Sequence, residues 1–114
     1  MDGKEQNIQI IITEQDSTIP LGSCGESRIR SILFDLSRWR NAFGEGTAVL
    51  TVKRHSDSAP YPVFLRQDGT RAEWVVIAQD TAQKGIGEAE LVFLTEGRVS
   101  ARKRFRTVVS AGNG

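Results

Sequence analysis

The feature that most constrains this chain is a two-residue alternation of apolar and polar side chains, repeated in short segments with turn residues between them. Thr47–Arg54 reads Thr-Ala-Val-Leu-Thr-Val-Lys-Arg, with Ala48, Leu50 and Val52 on one parity. Gly87–Leu94 places Ala89, Leu91 and Phe93 on one parity and Glu88 and Glu90 on the other. Such a period puts the apolar set on one face of a strand and would scatter it around a helix. The chain is therefore read as all-β.

The same reading gives further strands over Ile8–Thr13, Arg28–Phe34, Tyr61–Gln67, Thr70–Ala78 and Arg98–Val109, with a short extended piece around Ile19–Leu21. Arg28–Phe34 carries apolar groups on both parities and is placed centrally. Pro60 and Pro62 flank Tyr61 and mark a sheet edge, because proline has no N–H for a ladder. Asp68-Gly69 and Glu96-Gly97 are hairpin turns. One helix is expected over residues 37–43, with Ser37 as N-cap, Trp39 and Phe43 packed on a sheet, and Gly44 as the stop. Seven or eight short antiparallel strands with one helix add up to a β-sandwich of the immunoglobulin-like kind. At 114 residues the chain fits a single domain, with residues 1–6 and 110–114 as flexible ends.

Charge and cysteine content narrow the function. Fifteen basic and fourteen acidic residues leave a net +1, which gives no field to steer the molecule onto nucleic acid or an anionic membrane. Cys24 is the only cysteine, so neither an intrachain disulfide nor a cysteine-based metal cage can form. That suits a reducing cytosol. Ile8–Ile12 is too short for a signal-peptide core or a membrane span.

The residues that could carry chemistry do not form a catalytic pattern. His55, the one histidine, lies in a polar loop with no nucleophile motif beside it and reads as solvated. Cys24 has no histidine near it in sequence and reads as a small buried residue. Gly85-Ile-Gly87 opens like a dinucleotide fingerprint but leads into a strand, so its glycines are turn or bulge positions. Paired carboxylates for a small sugar hydrolase could come from Glu88, Glu90, Asp80 or Glu73, of which Glu88 and Glu90 share an outward face, about 7 Å apart at the rise of a strand. Ion pairing with Arg102, Arg104 and Arg106 on the next strand accounts for them more simply. That arginine stripe has a second reading, as a contact surface for phosphate or acidic glycan. Tyr61 and Trp39 could stack on sugar rings, whereas Trp74 alternates into the core. No catalytic, cofactor or metal residues are assigned.

Several segments occur in an order that resembles a known group. They are Leu33-Phe-Asp-Leu-Ser37, Trp39, Ala48-Val-Leu-Thr-Val-Lys-Arg54, Ala59-Pro-Tyr-Pro-Val63, Glu73-Trp74, Asp80-Thr-Ala82, Gly85-Ile-Gly-Glu-Ala-Glu-Leu91 and Phe105. The set resembles small tail-associated structural proteins of phages and prophages of Gram-positive bacteria, and the N-terminal β-sandwich domain of baseplate upper proteins. That group ends on a Ser-x-x-Phe type strand, where this chain has Ser100-Ala-Arg-Lys-Arg-Phe105. The resemblance implies a non-enzymatic virion component of a tail or baseplate, made in the bacterial cytoplasm. It implies other tail proteins as partners, and homo-oligomers, often trimers. Ile8, Ile10 and Ile12 are then candidates for an interface, with a plain buried strand as the competing reading. The runner-up function is a carbohydrate-binding module that reads host glycans through Tyr61 or Trp39.

Overall fold

The computed structural model describes residues 8–111, in the order β1 (Ile8–Ile12), β2 (Thr18–Ser23), β3 (Arg30–Asp35), α1 (Ser37–Phe43), β4 (Thr47–Lys53), β5 (Tyr61–Val63), β6 (Arg66–Asp68), β7 (Arg71–Val75), β8 (Gly85–Thr95) and β9 (Arg98–Ser110). The expected flexible ends over residues 1–6 and 112–114 lie outside the described residues. Ser110, read from sequence as part of a tail, ends β9 opposite Ser23.

Two sheets face each other in a sandwich-like arrangement. One has the order β1-β3-β7-β6 and the other β2-β9-β8-β4-β5. Residues that alternate inward from both sheets make one core. Ile32, Phe34, Ala72 and Trp74 come from the first, and Ile19, Leu50, Val52, Leu91, Phe93 and Phe105 from the second. The Phe34 and Phe105 rings meet across it with centroids 5.8 Å apart. Each large aliphatic side chain so buried contributes about 1.5–3 kcal/mol, which is why the period-two segments fix the architecture.

The alternation in β4, β8 and β9 is as the sequence gives it: Ala48, Leu50, Val52, Ala89, Leu91, Phe93 and Phe105 are buried. Five expectations are corrected. There are nine strands among the described residues instead of seven or eight, and the sheets are mixed: β1 runs parallel to β3, and β2 parallel to β9. Those two parallel pairings depart from the expected all-antiparallel pattern. The segment Tyr61–Gln67 is not one strand; β5 pairs with β4 in one sheet and β6 with β7 in the other. In α1 the N-cap position falls on Leu36. The Asp35 carboxylate instead takes the Ser37 hydroxyl at 2.6 Å and the Ser37 N–H at 3.0 Å. The hydroxyl and then the N–H hold the Asp35 carboxyl below its ordinary value. Finally, Phe43 is exposed, since a helix this short turns only one aromatic, Trp39, onto the core.

Candidate functional site

The most tightly organised polar cluster forms where the chain leaves β7. Asp80 is 2% exposed, and both of its carboxylate oxygens are used. Oδ2 accepts from the Trp74 indole N–H at 3.0 Å and from the Ile77 N–H at 3.0 Å. Oδ1 accepts from the Tyr61 hydroxyl at 2.6 Å. A carboxylate can be buried only when donors replace its water, and these three do so. Thr81, fully buried beside it, donates its hydroxyl to Glu26 O at 2.6 Å and anchors the same connection to the loop after β2.

A second layer covers the first. The Arg54 guanidinium sits 5.2 Å from the centroid of the Tyr61 ring and pairs with Asp57 through Nε and NH2, each at 2.8 Å. It also donates to Gln79 O at 3.1 Å. Hydrogen bonding to Arg54 lowers the Asp57 carboxyl to about 2. Burial first, and then the bond to Asp80, raise the Tyr61 phenol well above its ordinary value. Tyr61 is thereby a strut between the two sheets, with its hydroxyl donated to Asp80 and one guanidinium over its ring.

Trp39 is half-buried, its ring centroid 5.8 Å from that of Phe93. Its outer edge lines a shallow recess of about 170 Å³ with Glu14, Gln15, Asp35 and Arg38. Within that recess Arg38 Nε meets Glu14 Oε2 at 2.6 Å.

The arginine stripe lies on the outward face of β9. Arg102 and Arg104 both reach Glu90 on β8, at 3.6 and 3.5 Å. This is the cross-strand ladder expected from the sequence, and exposed pairs of this kind each contribute about 0.2–1 kcal/mol. Arg106 stands opposite Glu88 in the register. Arg104 and Arg106 also border an open groove of about 550 Å³ with Lys53, Arg54, His55 and Glu88. His55 is exposed there, with Nδ1 3.3 Å from Ile86 O. Among the described residues no group of three or more His, Cys, Asp or Glu is placed to hold a metal.

The three isoleucines do not share one environment. Ile12 is buried and Ile10 packs against the core, while Ile8 is 43% exposed. Ile11 on the opposite face is 57% exposed. Cys24, expected to be buried, is exposed, because the turn at Cys24-Gly25 carries it out of the sheet.

Two features escaped the sequence reading. Asp80 sits in a run of polar residues that looks like any solvated connection. Phe64, at the crossing from β5 to β6, is 83% exposed and borders a groove of about 370 Å³ with Arg28, Tyr61 and Ile77. Parity could have found Phe64: with Tyr61, Val63 and Leu65 turned inward, residue 64 must point out.

No family model matches the chain, and no curated protein matches it. Among solved structures, the "N-terminal domain of phage TP901-1 ORF48" is similar to it, with a TM-score of 0.56 at 12% sequence identity, covering 92% of this chain and 98% of that one. Nearly the whole of both chains superposes, so this protein has the fold of that phage domain.

Proposed function

We propose that this chain is a non-enzymatic structural domain of a phage tail or baseplate, which works by self-association and by docking on other tail proteins. The observation that carries the reading is the fold shared, over 92% of this chain, with a domain of a phage protein. Its organised polar residues support it as well. Asp80, Trp74, Tyr61, Arg54 and Asp57 are spent on one another and hold two sheets together. The surfaces left over suit docking: the open edge of β1 with Ile8 and Ile11, the exposed Phe64, and the arginine stripe. Aromatic and arginine side chains are the types that anchor protein interfaces.

The test is to purify phage particles from a host that carries the gene. Mass spectrometry of the virions should find the chain, and gold-labelled antibody should decorate the tail. Particles free of the chain, or a gene with no tail genes around it, would sink the proposal.

A second reading, recognition of a host glycan, is favoured by the recess at Trp39, where an indole edge meets amide, carboxylate and guanidinium groups. Tyr61 gives it less support, because the hydroxyl and one ring face are already engaged. Binding on a glycan array that disappears in Trp39→Ala, with the circular dichroism spectrum unchanged, would establish it.

A further inference from the structure

Among the described residues four strands stand at sheet edges: β1 and β6 in one sheet, β2 and β5 in the other. Edge strands expose a row of unpaired backbone groups, and proteins that stay monomeric block them with charge, proline, a bulge or sheer shortness. Three of the four carry such blocks. β6 has three residues, two of them the charged Arg66 and Asp68. β5 has three residues with Pro62 in the middle. β2 contains Pro20 and an irregularity between Pro20 and Gly22. β1 has none of these: Ile-Gln-Ile-Ile-Ile is uncharged, lacks Pro and Gly, and keeps an unbroken register from Ile8↔Arg30 to Ile12↔Phe34.

The hydrogen bonds show which backbone groups are open. Ile8 N–H donates to Ile29 O at 2.7 Å, so the even-numbered residues of β1 turn their N–H and C=O toward β3. Gln9 and Ile11 turn theirs outward. The next odd residue is closed, because Thr13 N–H donates to Asp16 Oδ2 at 2.7 Å. Among the described residues the open edge is thus centred on Ile10.

We infer that β1 pairs antiparallel with β1 of a second copy of this chain, across a two-fold axis at Ile10. Gln9 then lies opposite Ile11 of the copy, and Ile11 opposite its Gln9, each pair exchanging both backbone hydrogen bonds. Ile10 faces Ile10, and Ile8 faces Ile12, on the side that continues the core. A register shifted toward the C-terminus would call on Thr13 N–H, which Asp16 holds. Charge selects the occupant: a strand with no charge sets no like charges against each other when it meets itself, and offers a charged partner strand no counter-charge. The pairing covers the exposed Ile8 and Ile11 and joins two four-stranded sheets into one. It deepens the self-association proposed above and rests on that part of the proposal.

Sedimentation velocity of the full chain over a range of concentrations tests it, with Ile11→Lys as the variant. Ile11 is on the outward face, so the substitution leaves the core alone. The expected result is a dimer that Ile11→Lys weakens at least about tenfold, as a lysine on an edge strand should. In a Cys24→Ser background, Gln9→Cys chains mixed with Ile11→Cys chains should form an intermolecular disulfide faster than either alone. A chain that stays monomeric, a trimer, an oligomer indifferent to Ile11→Lys, or a β1 edge occupied by a strand of another protein overturns the pairing. Chains that dimerise as described but are absent from virions would instead sink the tail assignment, so the two failures are distinct.

Discussion

The Tyr61 hydroxyl donates to Oδ1 of Asp80 at 2.6 Å, tying an edge strand of one sheet to the loop that leaves the other. Because Oδ2 of the same carboxylate holds the Trp74 indole, the two aromatic side chains depend on one buried charge.

Asp80→Ala should therefore be among the most damaging single changes. It leaves the Trp74 and Ile77 donors buried without an acceptor, at about 1–3 kcal/mol each. We expect a loss of about 3 kcal/mol or more in urea unfolding. Tyr61→Phe, which removes one donor and leaves Asp80 with its other two, should cost about 1 kcal/mol.

The tyrosinate signal should report on Tyr61 alone, since it is the only tyrosine. Its phenol is raised by burial and by Asp80 above the ordinary value of 10.0. The neutral form is the one the fold favours. The contribution is complete below the unfolded value and is lost as pH rises above it. Tyrosinate absorbance should be absent from the native protein at about pH 11 and appear together with unfolding. In Tyr61→Phe the stability lost over that range should shrink. Ionisation of Tyr61 at an ordinary pH in a folded protein would contradict the buried hydrogen bond.

Acid should release the loop after β4 only at low pH. The Asp57 carboxyl is lowered to about 2 by its hydrogen bonds to Arg54. Its contribution is present above the unfolded carboxylate value and is lost as pH falls through the folded one. The carboxyl carbon shift of Asp57 should titrate near that folded value, and Asp57→Asn should remove this part of the acid sensitivity between about pH 4 and 2.

Gly87 is required for space rather than for backbone freedom. A methyl group there would run into the Lys53 carbonyl of β4 and lie 2.9 Å from Thr107 Oγ1 of β9. Gly87→Ala should destabilise by about 1–3 kcal/mol, the range for overpacking. At Gly97, with open space and φ of +78°, the penalty for Ala should come from the backbone, and Asn should reduce it.

The fold was legible wherever a strand stays in one sheet with one face buried. β4, β8 and β9 are of this kind, and their inward residues follow from parity alone. Parity carries no information about direction, so the parallel pairings of β1 and β2 were invisible. It also failed at the crossing from β5 to β6. Tyr61, Val63, Leu65 and Gln67 are all half-buried, so the alternation runs on unbroken while the chain changes sheets. Asp80 was missed because nothing local distinguishes a buried carboxylate from a solvated one. Its side-chain partners are the residues 6 and 19 positions earlier, which only the fold brings near. The arginine stripe was legible because its Glu90 partner follows from the hairpin register.

The parallel pairing of β2 with β9 also sets an order of events in the cell. Ser110 and Gly22 are 88 residues apart, yet the Ser110 hydroxyl donates to the Gly22 carbonyl in the finished fold. A ribosome delivers the chain from the N-terminus, so β2 must wait, unpaired, until β9 has emerged. Contacts of such long range also slow folding once the chain is free. During that interval Ile19 and Leu21 of β2, which the finished fold buries, are exposed to every neighbouring nascent chain. The arrival of β9 is therefore the step that covers β2, and a delay in its synthesis should cost yield long before it costs stability.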